Sequence, residues 1–178
     1  MEMQKVFRWT QSNWARRDID WFDGGQLAGS LKFASGLLNY ARAVVTGRTL
    51  RLNRNGFWQM HIHVQVPELE REEAIFESRG FWGGGELRLA SGLVYTVHPS
   101  AWGNRVELRL TDGTPVLRLT SGGFWKQQGD VFSALPPARA ADLPLLTLFT
   151  LYFLRLTADD ALMAAMVPIL VVLMMVVY

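Results

Sequence analysis

Arg48, Arg51 and Arg54 recur at every third position, and Arg16 and Arg17 stand further up the chain. A guanidinium fork holds phosphate oxygens two at a time, so these five arginines read as a candidate lipid- or anion-binding set. The plainer alternative is a row of solvated arginines, some paired with Asp18, Asp20 or Asp23. His61 and His63 sit two apart, and His98 lies further on. Two histidines at i and i+2 of a strand can ligate a metal. With Gln59 and Gln65 beside them and no third ligand in view, they read instead as a polar strand face, and no metal is expected. Glu68, Glu70, Glu72 and Glu73 could bind a cation or move protons, but they read as a solvated acidic loop. The chain has no cysteine, which excludes disulfides, thiolate metal sites and a cysteine nucleophile. No nucleophile elbow, P-loop, dinucleotide fingerprint or zincin motif occurs. The expectation is a non-enzymatic protein without a cofactor.

The elements that would carry these side chains are short and alternate with period two. Met60, Ile62, Val64 and Val66 fall on one face with Trp58, and Gln59, His61, His63 and Gln65 on the other. A strand over Phe57 to Val66 follows, apolar within and polar without. Gln26 to Phe33, Glu86 to Ala90 and Arg105 to Thr111 repeat the pattern. In the arginine-bearing strand, Arg51 shares a face with Thr49 and Asn53, while Arg48 and Arg54 flank the apolar face at its rims. Asp23-Gly24-Gly25, Asn55-Gly56, Ser91-Gly92 and Asp112-Gly113 mark tight turns between the runs. About ten to twelve strands fit this spacing, as in an all-β sandwich or barrel. Glu68 to Glu73, after Pro67, reads as an exposed loop or one helical turn. Gly-Phe-Trp occurs at Gly56, Gly80 and Gly123, at unequal spacings. It reads as a turn glycine followed by aromatics that open a strand.

The character changes after Pro136-Pro137. Asp142-Leu143-Pro144 looks like an N-cap with a proline in the first turn. Leu145 to Leu154 is apolar nearly all round, which marks a buried helix. A barrel of about twelve strands is too wide for its own side chains to fill, and a helix about 10–12 Å across suits the gap. The reading is a mainly β, closed antiparallel barrel of about twelve strands around a central apolar C-terminal helix. It divides into a barrel domain over 1–157, with its helix at about 142–157, and an apolar tail over 158–178. Asp159-Asp160 interrupts the apolar run. Ala161 to Tyr178 carries no charged side chain. It is at the lower end of the length that spans a bilayer, and it could equally pack on protein; its Val-Val-Leu-Met-Met-Val-Val stretch could even form a strand.

From Gly85 to Leu156 the chain resembles bacterial proteins of the tubby C-terminal-like superfamily, which includes phospholipid scramblases and LURP-one-related proteins. The residues that carry the resemblance are Gly85-Glu86-Leu87-Arg88-Leu89, Leu93-Val94-Tyr95-Thr96-Val97, Trp102 before Val106-Glu107-Leu108, and Asp112-Gly113-Thr114-Pro115-Val116-Leu117. The apolar helix Leu143 to Leu156 completes it, and Ile19 to Gly56 fits the preceding strands more loosely. The resemblance implies a twelve-stranded barrel around a central helix and binding at membranes, often through anionic lipid. The basic phosphoinositide-binding residues of tubby align with no position here, and a cysteine-rich palmitoylation segment is absent. The functional expectation is a scramblase-like domain acting at a membrane surface through anionic phospholipid. The alternative is a soluble structural or protein-interaction module whose apolar tail mediates oligomer or partner contacts. The formal charge of +2 does not call for nucleic acid. Met1 to Trp9 lacks the apolar core of a signal peptide, so the expected location is cytoplasmic, membrane-associated through 161–178.

Overall fold

The computed structural model describes residues 2–13, 18–34, 39–56, 59–80, 84–100, 103–122 and 127–177, with backbone alone for 13 and 161–177. Twelve strands form a closed antiparallel barrel in which each strand pairs with its neighbours in sequence. They are β1 (Gln4–Asn13), β2 (Asp18–Asp23), β3 (Gln26–Phe33), β4 (Tyr40–Val45), β5 (Arg48–Asn55), β6 (His61–Val66), β7 (Arg71–Ser78), β8 (Gly85–Leu89), β9 (Val94–Pro99), β10 (Arg105–Leu110), β11 (Pro115–Thr120) and β12 (Gln128–Ser133). The barrel closes where Gln4 pairs with Ser133 and Thr10 with Gln128. Closure leaves no unpaired edge to recruit another strand.

Side-chain alternation sets the inside from the outside. Along β6, Ile62, Val64 and Val66 are buried while His61, His63 and Gln65 are half-buried on the outer face. β4 points Ala41, Ala43 and Val45 inward. The small side chains of Ala41 and Ala43 leave room along that wall for something wider. The glycines of β3 and β12 serve packing too. A Cβ at Gly29 would overlap the Trp21 indole, and one at Gly129 would overlap Trp9 and the Thr120 carbonyl oxygen. Trp9 and Trp21 fill those hollows and are fully buried, and the Trp9 indole N–H donates to Thr120 O at 2.9 Å.

After β12 a 3-10 helix over Pro137–Asp142 leads into α1 (Leu143–Val177). Leu146, Leu148, Phe149, Leu151, Tyr152, Phe153 and Leu156 of α1 are all fully buried. Consecutive residues project around the whole helical circumference, so burial of all of them means that strands surround the helix. Phe149 and Phe153 pack on Phe76 of β7 with ring centroids 5.5 and 5.2 Å apart, and Tyr152 stacks on Phe33 of β3 at 5.7 Å. Two threonines enter this apolar interior. Thr150 is satisfied by donating to Leu146 O at 2.6 Å, the back-bond that lets a hydroxyl sit within a buried helix.

The meander gives the barrel two unlike mouths. The β1–β2, β3–β4, β5–β6, β7–β8, β9–β10 and β11–β12 connections bridge one, here the upper mouth; the remaining connections bridge the lower. α1 enters at the lower mouth beside Asp142 and reaches the upper rim at Asp160, where it meets Arg54 at the end of β5.

Several boundaries differ from those expected from sequence. β6 begins at His61, and Phe57 and Trp58 lie outside the described residues. The acidic segment forms a short 3-10 helix over Pro67–Leu69, after which Glu72 and Glu73 belong to β7. Asp159-Asp160 does not break α1, which continues to Val177 and excludes a strand there. Aspartate inside a helix costs only about 0.7 kcal/mol, and both aspartates have arginine partners.

Candidate functional site

The upper rim is where charge meets the apolar helix. Arg54 stands in the inward phase of β5, continuing the Leu50 and Leu52 face one step past the core. From there it holds Asp160 with both terminal nitrogens, at 3.0 and 2.8 Å. One turn below, Arg155 pairs with Asp159 at 3.2 Å and donates to Gln127 Oε1, in the β11–β12 connection, at 3.0 Å. The side chains of Arg155, Asp159 and Arg54 are only 11, 8 and 10 % exposed. Charges so enclosed persist only when paired, so this ring forms a polar collar where the helix leaves the barrel.

The other candidate residues are dispersed. Arg48 lies at the opposite end of β5, by the lower mouth, and pairs with Glu73 at 2.8 Å. Arg51 is on the outer wall and donates to Gln65 Oε1 at 2.9 Å. The structure therefore does not gather Arg48, Arg51 and Arg54 into one pocket. Arg16 and Arg17 lie outside the described residues, in the β1–β2 connection. His63 pairs with Glu72 across the β6–β7 ladder, while His98 bonds Thr96 Oγ1 on β9.

Two carboxylates on the outer wall are each held by two arginines. Glu107 on β10 accepts from Arg109 at 2.7 Å and from Arg118 at 2.9 Å. Burial alone would lift its pKa, but the two guanidinium groups outweigh burial and hold it below the usual carboxylate range. Glu73 stands likewise between Arg71 and Arg48; burial again opposes, and the arginines prevail. Each cluster keeps one net positive charge; Glu107 ties β10 to β11, and Glu73 ties β7 to the start of β5 across the end of β6. An open depression near the lower mouth is lined by Lys5 to Arg8 and Phe22 to Gly25. Among the described residues no group of three or more histidine, aspartate or glutamate side chains is placed to hold a metal.

The collar was hidden from sequence reasoning. Arg54 and Asp160 are 106 residues apart, and no local pattern joins them. The periodicity of β5 did mark Arg54 as the rim residue of the apolar face. Comparison with protein-family models, with curated proteins and with solved structures finds no match to this chain.

Proposed function

We propose that this chain is a non-enzymatic, tubby-like β-barrel domain that works at a membrane surface, held there by its apolar helix and by anionic phospholipid. The observation that carries the reading is the continuity of α1. The helix fills the barrel up to the collar and then runs on through residues 161–177 without a charged side chain. At 1.5 Å per residue that outer part is about 25 Å long, close to the hydrocarbon thickness of a bilayer. Among the described residues every strand is already paired on both sides within the barrel. A rod of this kind in water would invite association. Kinship with the tubby-like superfamily is supported by the architecture, twelve strands around a C-terminal helix, and by the residues quoted above.

Vesicle flotation tests the reading. The full chain is expected to float with phosphatidylcholine–phosphatidylserine vesicles, and more weakly with phosphatidylcholine alone. A variant ending at Asp160 is expected to keep the barrel's circular dichroism and to stay with the soluble fraction. A full chain that stays behind as a discrete, stable oligomer would replace this reading with that of a soluble interaction module.

A further inference from the structure

We infer that the outer wall over β3, β4 and β5 seats a multiply charged phosphate group between Lys32, Arg42 and Arg51. The strand register sets these three side by side: Lys32 pairs with Arg42, and Arg42 with Arg51. Each stands between inward-facing neighbours, so all three side chains emerge on the outer face. Lys32 and Arg42 are exposed, and Arg51 is half-buried. Adjacent strands lie about 4.8 Å apart, so three long cationic side chains can converge on one group above Arg42. Like charges directly opposite each other on a sheet are destabilising, and here two such pairs stand in succession. The inference uses none of residues 161–177 and stands apart from the membrane reading.

Elsewhere on the wall this barrel sets its arginines around a shared carboxylate. Arg109 and Arg118 share Glu107, Arg48 and Arg71 share Glu73, and Arg79 and Arg88 share Glu86. Around Arg42 the chain supplies no such group. β3, β4 and β5 contain no aspartate or glutamate. On one side, Asp18 of β2 accepts from the Phe33 backbone N–H at 3.3 Å; on the other, Glu72 of β7 pairs with His63. Arg51 donates to the neutral Gln65 amide at 2.9 Å. Among the described residues no carboxylate lies within ion-pair distance of Lys32 or Arg42. The place that a glutamate fills in the other three clusters is therefore open to an external anion. Three cations exceed what one carboxylate balances, and a guanidinium fork matches phosphate oxygens, so a phosphate monoester or a polyphosphate fits best. Two positions further toward the upper mouth, Tyr40 opposes Asn53 on the same outer face and adds a hydroxyl and an amide beside the cations.

Calorimetric titration of tripolyphosphate into the full-length chain, held in neutral detergent, tests the site. Binding is expected, and Lys32→Gln with Arg42→Gln should weaken it at least about tenfold. Arg8→Gln with Arg105→Gln removes the same charge from other exposed positions and should leave binding unchanged. Both double variants are expected to keep the parent's circular dichroism, since all four side chains are exposed. Flotation with phosphatidylcholine vesicles containing either phosphatidic acid or phosphatidylserine separates the two sources of phosphate. A preference for phosphatidic acid that the Lys32, Arg42 variant loses assigns the group to a lipid headgroup. Tripolyphosphate binding without that preference assigns it to a soluble ligand. Binding that the Lys32, Arg42 variant retains, or an equal loss in both double variants, overturns the site. So does a chain that neither binds tripolyphosphate nor prefers phosphatidic acid, and flotation with phosphatidylserine vesicles would then leave the membrane reading standing. A chain that floats with no vesicle refutes the membrane reading, and the tripolyphosphate titration alone then decides the site.

Discussion

The inner part of α1 carries Arg155, Asp159 and Asp160 among its apolar residues, and the outer part carries no charged side chain at all. Residues 143–160 lie within a cylinder of strands, with Leu146 to Leu154 buried on every side. Residues 161–177 continue the same helix past the rim. Apolar composition therefore states only that a helix must leave water; it does not say for what. The partner of the inner part is decided by geometry, here by a barrel too wide to fill itself. The Arg54–Asp160 and Arg155–Asp159 pairs stand where the helix reaches the rim of the barrel.

Placing a charge in each part breaks the comparison most forcefully. Phe153→Asp is expected to abolish the folded barrel, costing at least about 5 kcal/mol, because its carboxylate would be buried without a partner. Urea titration followed by circular dichroism would show no cooperative transition. Val171→Asp is expected to preserve that transition and to lose vesicle flotation. A milder test of the inner part is Phe149→Ala. It removes a ring packed on Phe76 and should cost about 3–5 kcal/mol in the same titration.

The rim itself has a smaller effect. Arg54→Ala is expected to cost about 1 kcal/mol, since the Asp160 side chain remains 48 % exposed and screened by solvent. A double-mutant cycle with Asp160→Ala isolates the pair, and a coupling near zero would remove the collar's energetic role. The gentlest perturbation is acid. The pKa of Glu107 is lowered in the folded barrel, so its contribution to stability is complete above the ordinary glutamate value of about 4.3 and fades as pH falls through the lower folded value. Glu107→Gln is expected to flatten the decline of the melting temperature below that pH.

Much of the barrel was legible because alternation is a local property. Gln26 to Phe33 was read with the limits of β3, and Leu31 and Phe33 face the core as their alternation implies, but Leu27, read on the same face, is 62 % exposed beyond the irregularity in the β2–β3 ladder. The need for a helix inside followed from strand number and an all-round apolar segment. The unbroken course of α1 was not legible, because Asp159-Asp160 looks like a stop until Arg155 and Arg54 are seen to receive it. Nor was the dispersal of the arginine set, since spacing along β5 does not reveal that Glu73 and Gln65 take up Arg48 and Arg51.

Hydrogen–deuterium exchange along α1, measured on the full chain with and without phosphatidylserine-containing vesicles, tests the division of the helix most directly. Peptides from 146–158 are expected to exchange slowly and equally in both conditions, and peptides from 161–177 to slow markedly only when vesicles are added. Fast exchange in 146–158 without lipid, or slow exchange in 161–177 that lipid does not change, would contradict the account.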